Sequence, residues 1–135
     1  MRPARAVGAV ITLLYASILA LLLLVLTLRV VYLRRTLLVA LGAGEHRRLE
    51  KAVRAHANLV EYVPLALILM ALLEQQGAPP WQLHALGATL VVSRHLHAWG
   101  LSLHAGPSLG RMVGTTGTLL VLLAAGVLGL SRMVA

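Results

Sequence analysis

The sequence predicts an all-α, membrane-embedded bundle of four helices running up and down, and three observations carry that expectation. The chain of 135 residues is 59% hydrophobic and has only four acidic residues, a composition that cannot cover a soluble protein with polar surface. Its apolar residues gather in four long segments, each near the roughly 20 residues a helix needs to cross a bilayer. The connections between them are short, which makes successive helices antiparallel neighbours. Four spans and their turns account for nearly the whole chain, so a single domain over 1–135 is expected.

The first span is expected over about 6–33. It is free of charge from 6 to 28, opened by Arg2 and Arg5 and closed by Arg29, Arg34 and Arg35. Its apolar run exceeds the 7–15 residues or so of a signal-peptide core and lacks a small-residue cleavage site before the charges, so it reads as an uncleaved span. Residues 36–50 form a connection in which Gly42-Ala43-Gly44 ends an apolar run and a densely charged stretch follows, the pattern of a surface loop. The second span, about 51–75, contains Pro64, which is expected to kink it. Gln75-Gln76-Gly77-Ala78-Pro79-Pro80 is a polar turn, and Trp81 after it is placed as an interfacial anchor.

The third span, about 81–103, has a short aliphatic part, because Arg94, His95 and His97 arrive before Trp99 marks the other interface. Arg94 then lies about 7 Å inside that interface at 1.5 Å per residue and must face protein or a water-filled pocket. His104-Ala105-Gly106-Pro107-Ser108 is a turn, and the last span, about 111–132, carries Gly114, Gly117, Ala125 and Gly129 as small faces for close packing.

The net charge of +8 resides in arginines at helix ends, where membrane lipid headgroups or a small anionic ligand are nearer partners than nucleic acid. Seven Lys and Arg residues fall between 29 and 54, with Arg94 and Arg111 at the same end, against Arg2, Arg5 and Arg132 at the other. The positive-inside rule therefore makes the first and third connections cytoplasmic and puts both termini outside. The chain has no cysteine, which excludes disulfides, thiolate metal sites and a cysteine nucleophile. His84, His95 and His104 are too scattered for a metal site, and none is expected.

The chemistry concentrates in Arg54-Ala55-His56-Ala57-Asn58-Leu59-Val60-Glu61-Tyr62-Val63-Pro64. Arg54, Asn58 and Glu61 stand at i, i+4 and i+7, a stripe along one helix face, with Tyr62 beside it. A carboxylate inside a span costs a few kcal/mol, so Glu61 reads as functional rather than as helix-locking glue paired with Arg54. With Arg94, His97 and Arg111 expected at the same mouth, the set suits a ligand bearing more than one carboxylate and an ammonium. Glutathione has that charge pattern. A cation beside its sulfur would supply the thiolate, since lowering a thiol pKa near 8.5 by two units takes about 2.7 kcal/mol.

These residues resemble the membrane-associated proteins in eicosanoid and glutathione metabolism, the MAPEG family, which includes microsomal glutathione transferases. The stretch from Arg54 to Pro64 is similar to the family's second-helix signature, Arg94-His95-Leu96-His97 is similar to its third-helix pattern, and Arg111 stands where the family has a fourth-helix arginine. The resemblance implies a homotrimer binding glutathione between subunits at the cytoplasmic side. It implies that Arg54, Asn58, Glu61, Tyr62, Arg94, His97 and Arg34 hold glutathione while Arg111 stabilises the thiolate, for attack on a lipophilic second substrate. One departure is Leu101, where the family often has a tyrosine. Two other functions are weighed beside this one: a non-catalytic scaffold of the same fold, and a small proton-coupled multidrug exporter, in which the carboxylate belongs near midplane without basic partners.

Overall fold

The computed structural model describes residues 9–103 and 108–134. Arg2, Arg5 and positions 104–107 of the third turn lie outside them. Four helices are present, α1 Val10–Leu37, α2 Arg47–Gln75, α3 Pro80–Leu103 and α4 Leu109–Val134. The all-α bundle is as expected. α1 runs four residues beyond position 33 and α2 starts at Arg47 rather than 51, so the charged stretch after the loop is mostly helix. α2 continues unbroken through Pro64, which is exposed.

α2 and α3 form the centre: each packs on the other three helices, while α1 and α4 do not touch among the described residues. α1, α2 and α4 are long and apolar enough to cross a membrane. α3 is not among them; its polar residues Ser93, Arg94 and His97 are buried among neighbours.

The core follows a coiled-coil seam. On α1 the buried residues are Thr12, Leu19, Leu26 and Leu33, one every seven positions, and on α2 Leu49, Ala52, Ala55, Leu59, Val63, Ala66, Met70 and Leu73 follow one another at steps of three or four. Such spacing turns a single narrow stripe toward the partner. On α4 the seam is Gly114, Thr118, Val121 and Ala125. A Cβ at Gly114 would sit 2.5 Å from the Ser93 carbonyl oxygen, so this glycine sets how closely α3 and α4 approach. Gly129, expected to pack in the same way, meets nothing within 4 Å inside the chain.

The two helix ends that frame the α1–α2 pair both close on a left-handed residue. At α2, the N–H of Ala78 donates to Leu73 O (2.9 Å) and that of Gly77 to Glu74 O (3.0 Å), with Gly77 left-handed at φ 76°. At α1, the N–H of Val39 donates to Arg34 O (3.1 Å) and the left-handed position is Leu38, φ 55°. The α2 end is a Schellman closure, while at α1 the Leu38 and Val39 N–H groups both return to Arg34 O; glycine is the usual left-handed residue in such closures. A leucine there costs roughly 1–2 kcal/mol.

The start of α1 is completed from outside itself. Ala9 provides no side-chain cap and the first turn has no acid. Instead the buried Glu74 of α2 accepts the N–H groups of Ile11 (2.7 Å) and Thr12 (2.8 Å). A carboxylate at a helix N-terminus satisfies orphan donors and opposes the positive end of the dipole. At the same end the Arg132 guanidinium donates to Gln76 O (3.1 Å) and the Tyr15 hydroxyl meets His84 Nδ1 (2.9 Å).

Candidate functional site

The polar residues singled out in the sequence fall into three settings. The first is buried. Arg94 is 2% exposed, one of the largest fully buried side chains in the molecule. Its guanidinium donates to Asn58 Oδ1 (2.6 Å) on α2 and to the Gly114 carbonyl (3.0 Å) on α4, and its Cζ lies 6.0 Å from the Tyr62 ring centroid. Arg94 therefore faces protein, and it ties α2, α3 and α4 together. Its Nε has no partner among the described residues, so a buried cation here is held by neutral oxygens and an aromatic face. His97, also buried, has its Nδ1 3.1 Å from Thr115 Oγ1 on α4.

The second setting is an open cavity of about 300 Å³ at the first-loop end, lined by Arg47, Glu50, Lys51, Arg54, Leu101 and Arg111. Four cations and one carboxylate make its walls. Arg111 is placed by the start of α4: its N–H meets Ser108 Oγ (3.3 Å), which caps the helix from the position before Leu109. The close approach that brings Arg111 to α3 depends on Gly100, where a Cβ would lie 2.8 Å from the Arg111 nitrogen.

Arg47, Glu50 and Lys51 were not among the site residues expected from sequence, which placed Arg47 and Glu50 in a surface loop and Lys51 at the start of the second span. The cue was available. Arg47, Lys51, Arg54 and Asn58 continue one i, i+4, i+7, i+11 stripe back from the motif, and they share a face once α2 begins at Arg47.

The third setting is the outside of the bundle. Glu61 is exposed, and no ion pair joins it to Arg54 among the described residues, so the self-satisfied pair is not what the chain forms. Arg34 is engaged with its own loop: its guanidinium donates to the carbonyls of Gly42 (2.9 Å), Ala40 (3.3 Å) and Val39 (3.4 Å). Within one chain, then, Arg54 and Arg111 share a cavity and Asn58, Tyr62 and Arg94 share a buried cluster, while Glu61 and Arg34 line neither. A further cation from α1, Arg29, donates to Ser102 Oγ on α3. No group of three or more metal-ligating side chains occurs among the described residues.

The chain is 42% identical over 87 residues to the inner membrane protein YecN of Escherichia coli strain K12, covering 64% of this chain and 66%, just under two thirds, of that protein. The same protein of Escherichia coli O6:H1 matches to the same extent. The four-helix membrane architecture agrees with a match to one family over residues 12–131, nearly the whole chain. A membrane bundle whose second helix carries Arg54, Asn58 and Glu61 and whose third buries Arg94 is thus the form one family takes here: this chain belongs to the MAPEG family.

Proposed function

We propose that the protein is an integral-membrane glutathione-dependent transferase or peroxidase that activates the glutathione thiolate for attack on lipophilic electrophiles or hydroperoxides. The observation that carries this reading is the cationic cavity, in which Arg47, Lys51, Arg54 and Arg111 surround one carboxylate, Glu50. Glutathione presents two carboxylates, one ammonium and one thiol. Guanidinium groups fork carboxylates and a side-chain carboxylate accepts from an ammonium, so the balance of four cations to one acid matches the ligand.

Arg111 stabilises the thiolate by charge, and the thiol proton leaves to solvent. The sulfur then forms a bond to an electrophilic carbon as the leaving group departs with its electron pair. With a hydroperoxide, the sulfur takes the terminal oxygen, the alcohol leaves, and a second glutathione reduces the sulfenic acid to disulfide and water. No metal takes part.

Glu61 supports an assembled site. An ionisable side chain on the outer face of a span is costly in lipid and is ordinarily covered by protein. A neighbouring copy in a homotrimer covers it and delivers Glu61 and Tyr62 to glutathione bound between subunits, with Asn58 held behind them by buried Arg94. Cation distribution puts this end in the cytoplasm and both termini outside.

Titration calorimetry with glutathione in detergent tests the reading. The parent chain binds, while Glu61→Gln and Arg54→Ala each weaken binding by about tenfold or more, the loss expected of one charge-assisted contact. Parent binding that neither change touches removes the proposed site. A second reading, a scaffold without turnover, is favoured by one observation: Leu101 lines the cavity where the resemblance expects a tyrosine. The ultraviolet thiolate band of bound glutathione separates the two. It appears near neutral pH and is lost in Arg111→Ala for an enzyme, and is absent from the parent for a scaffold.

A further inference from the structure

The loop after α1 is built in a way that the glutathione reading leaves unused. It is held in shape from within, by the three carbonyls that accept from Arg34 and by left-handed Gly42 and Gly44 at φ 69° and 55°. What it presents outward is apolar: Leu38 is 92% exposed and Leu41 is 90% exposed. Leu38 also occupies the left-handed position of the helix closure, where a residue without a Cβ fits better, so its side chain is displayed at the expense of the backbone.

Around these leucines stand cations. Arg35, Arg47 and Arg48 are exposed, and an open groove of about 450 Å³ is lined by Arg34, Arg35, Leu38, Val39 and Ala40. Two guanidiniums over an apolar floor, at the end of a membrane-spanning helix, match a molecule whose anionic head adjoins hydrocarbon. Tyr32, 66% exposed one turn before Thr36, is placed for the same interface. Basic clusters next to a span are attracted to anionic lipid, and guanidinium pairs with phosphate through two parallel hydrogen bonds.

We propose that this loop is a binding site for an anionic phospholipid, with Arg35 and Arg34 at the phosphate and Leu38 and Leu41 inserted at the top of the acyl chains. The loop then lies in the headgroup layer rather than projecting into the cytosol.

The test measures lipid retained per protomer by native mass spectrometry, using the full chain titrated in detergent with phosphatidylglycerol or with phosphatidylcholine. The parent retains phosphatidylglycerol preferentially. Arg35→Gln lowers that preference by about fivefold, the effect of one interfacial cation. Leu38→Gly keeps the left-handed turn, relieves its strain and removes the inserted side chain, so it reduces retention of phosphatidylglycerol while leaving or raising the thermal midpoint in neutral detergent. That opposition of sign separates a lipid contact from a structural role. Equal retention of the two lipids by the parent overturns the proposal, as does unchanged preference in both variants. Displacement of phosphatidylglycerol by an equal concentration of inorganic phosphate also overturns it, because a site for the free anion has no use for the leucines.

Discussion

The two closures that bracket the α1–α2 pair differ in one residue. Gly77 takes the left-handed position after α2 and Leu38 takes it after α1; in each the next N–H returns to the helix, from Ala78 to Leu73 O and from Val39 to Arg34 O. The surroundings differ in the same sense. At the Gly77 end, Glu74 completes α1, Arg132 holds the Gln76 carbonyl and Tyr15 meets His84, so the chain satisfies itself. At the Leu38 end, leucines and arginines point outward and a cationic cavity stands open. One end is finished by the chain; the other is shaped for what lies outside it.

The contrast can be broken most forcefully at Glu74. Replacing it by leucine strands two N–H groups that now donate to a carboxylate, and the loss should be about 3 kcal/mol. It shows as a lower thermal midpoint in detergent and faster amide exchange at Ile11 and Thr12. An unchanged midpoint would mean that α1 does not need its borrowed cap. Next in size is Gly114→Ala, whose new methyl would lie 2.5 Å from Ser93 O and 2.7 Å from the His97 Cβ. Prising α3 from α4 should cost about 2 kcal/mol, since overpacked sites lose roughly 1–3. Glutathione affinity should fall with it, as Arg94 loses its alignment on the Gly114 carbonyl.

A smaller pair sharpens the comparison directly. Gly77→Ala should destabilise by about 1 kcal/mol, because alanine pays the left-handed penalty there. Leu38→Gly should stabilise by about 0.5 kcal/mol, the relief of that penalty less the entropy glycine adds to the unfolded chain. Denaturant or thermal scans on both variants read the two signs. Matching signs would show that the closures are equivalent after all.

Much of this was legible in the sequence, and what was not has physical reasons. The four helices follow from hydropathy, and the importance of residues 54–64 follows from polar groups set in an apolar span. Where each polar group points did not follow. At about 100° per residue, Arg54 and Glu61 lie within roughly 20° of one another, while Asn58 is turned some 40–60° from both. That turn is enough to send Asn58 to Arg94 and leave Glu61 outside.

The seam Thr12, Leu19, Leu26, Leu33 was hidden because nearly every other residue of α1 is apolar too, and an evenly hydrophobic helix does not announce its buried face. Glu74 was not singled out in the sequence, although it carried a cue. An acid in the last turn of a helix opposes that helix's own dipole, and here it serves the opposite pole of another.

The borrowed cap also bears on how the protein is made. Ile11 leaves the ribosome 63 residues before the glutamate that will accept its N–H. The leading hairpin therefore becomes complete only when its second arm has been threaded through the bilayer, so the first two crossings mature as a unit. A nascent chain halted before Glu74 holds its first crossing with the opening turn still frayed.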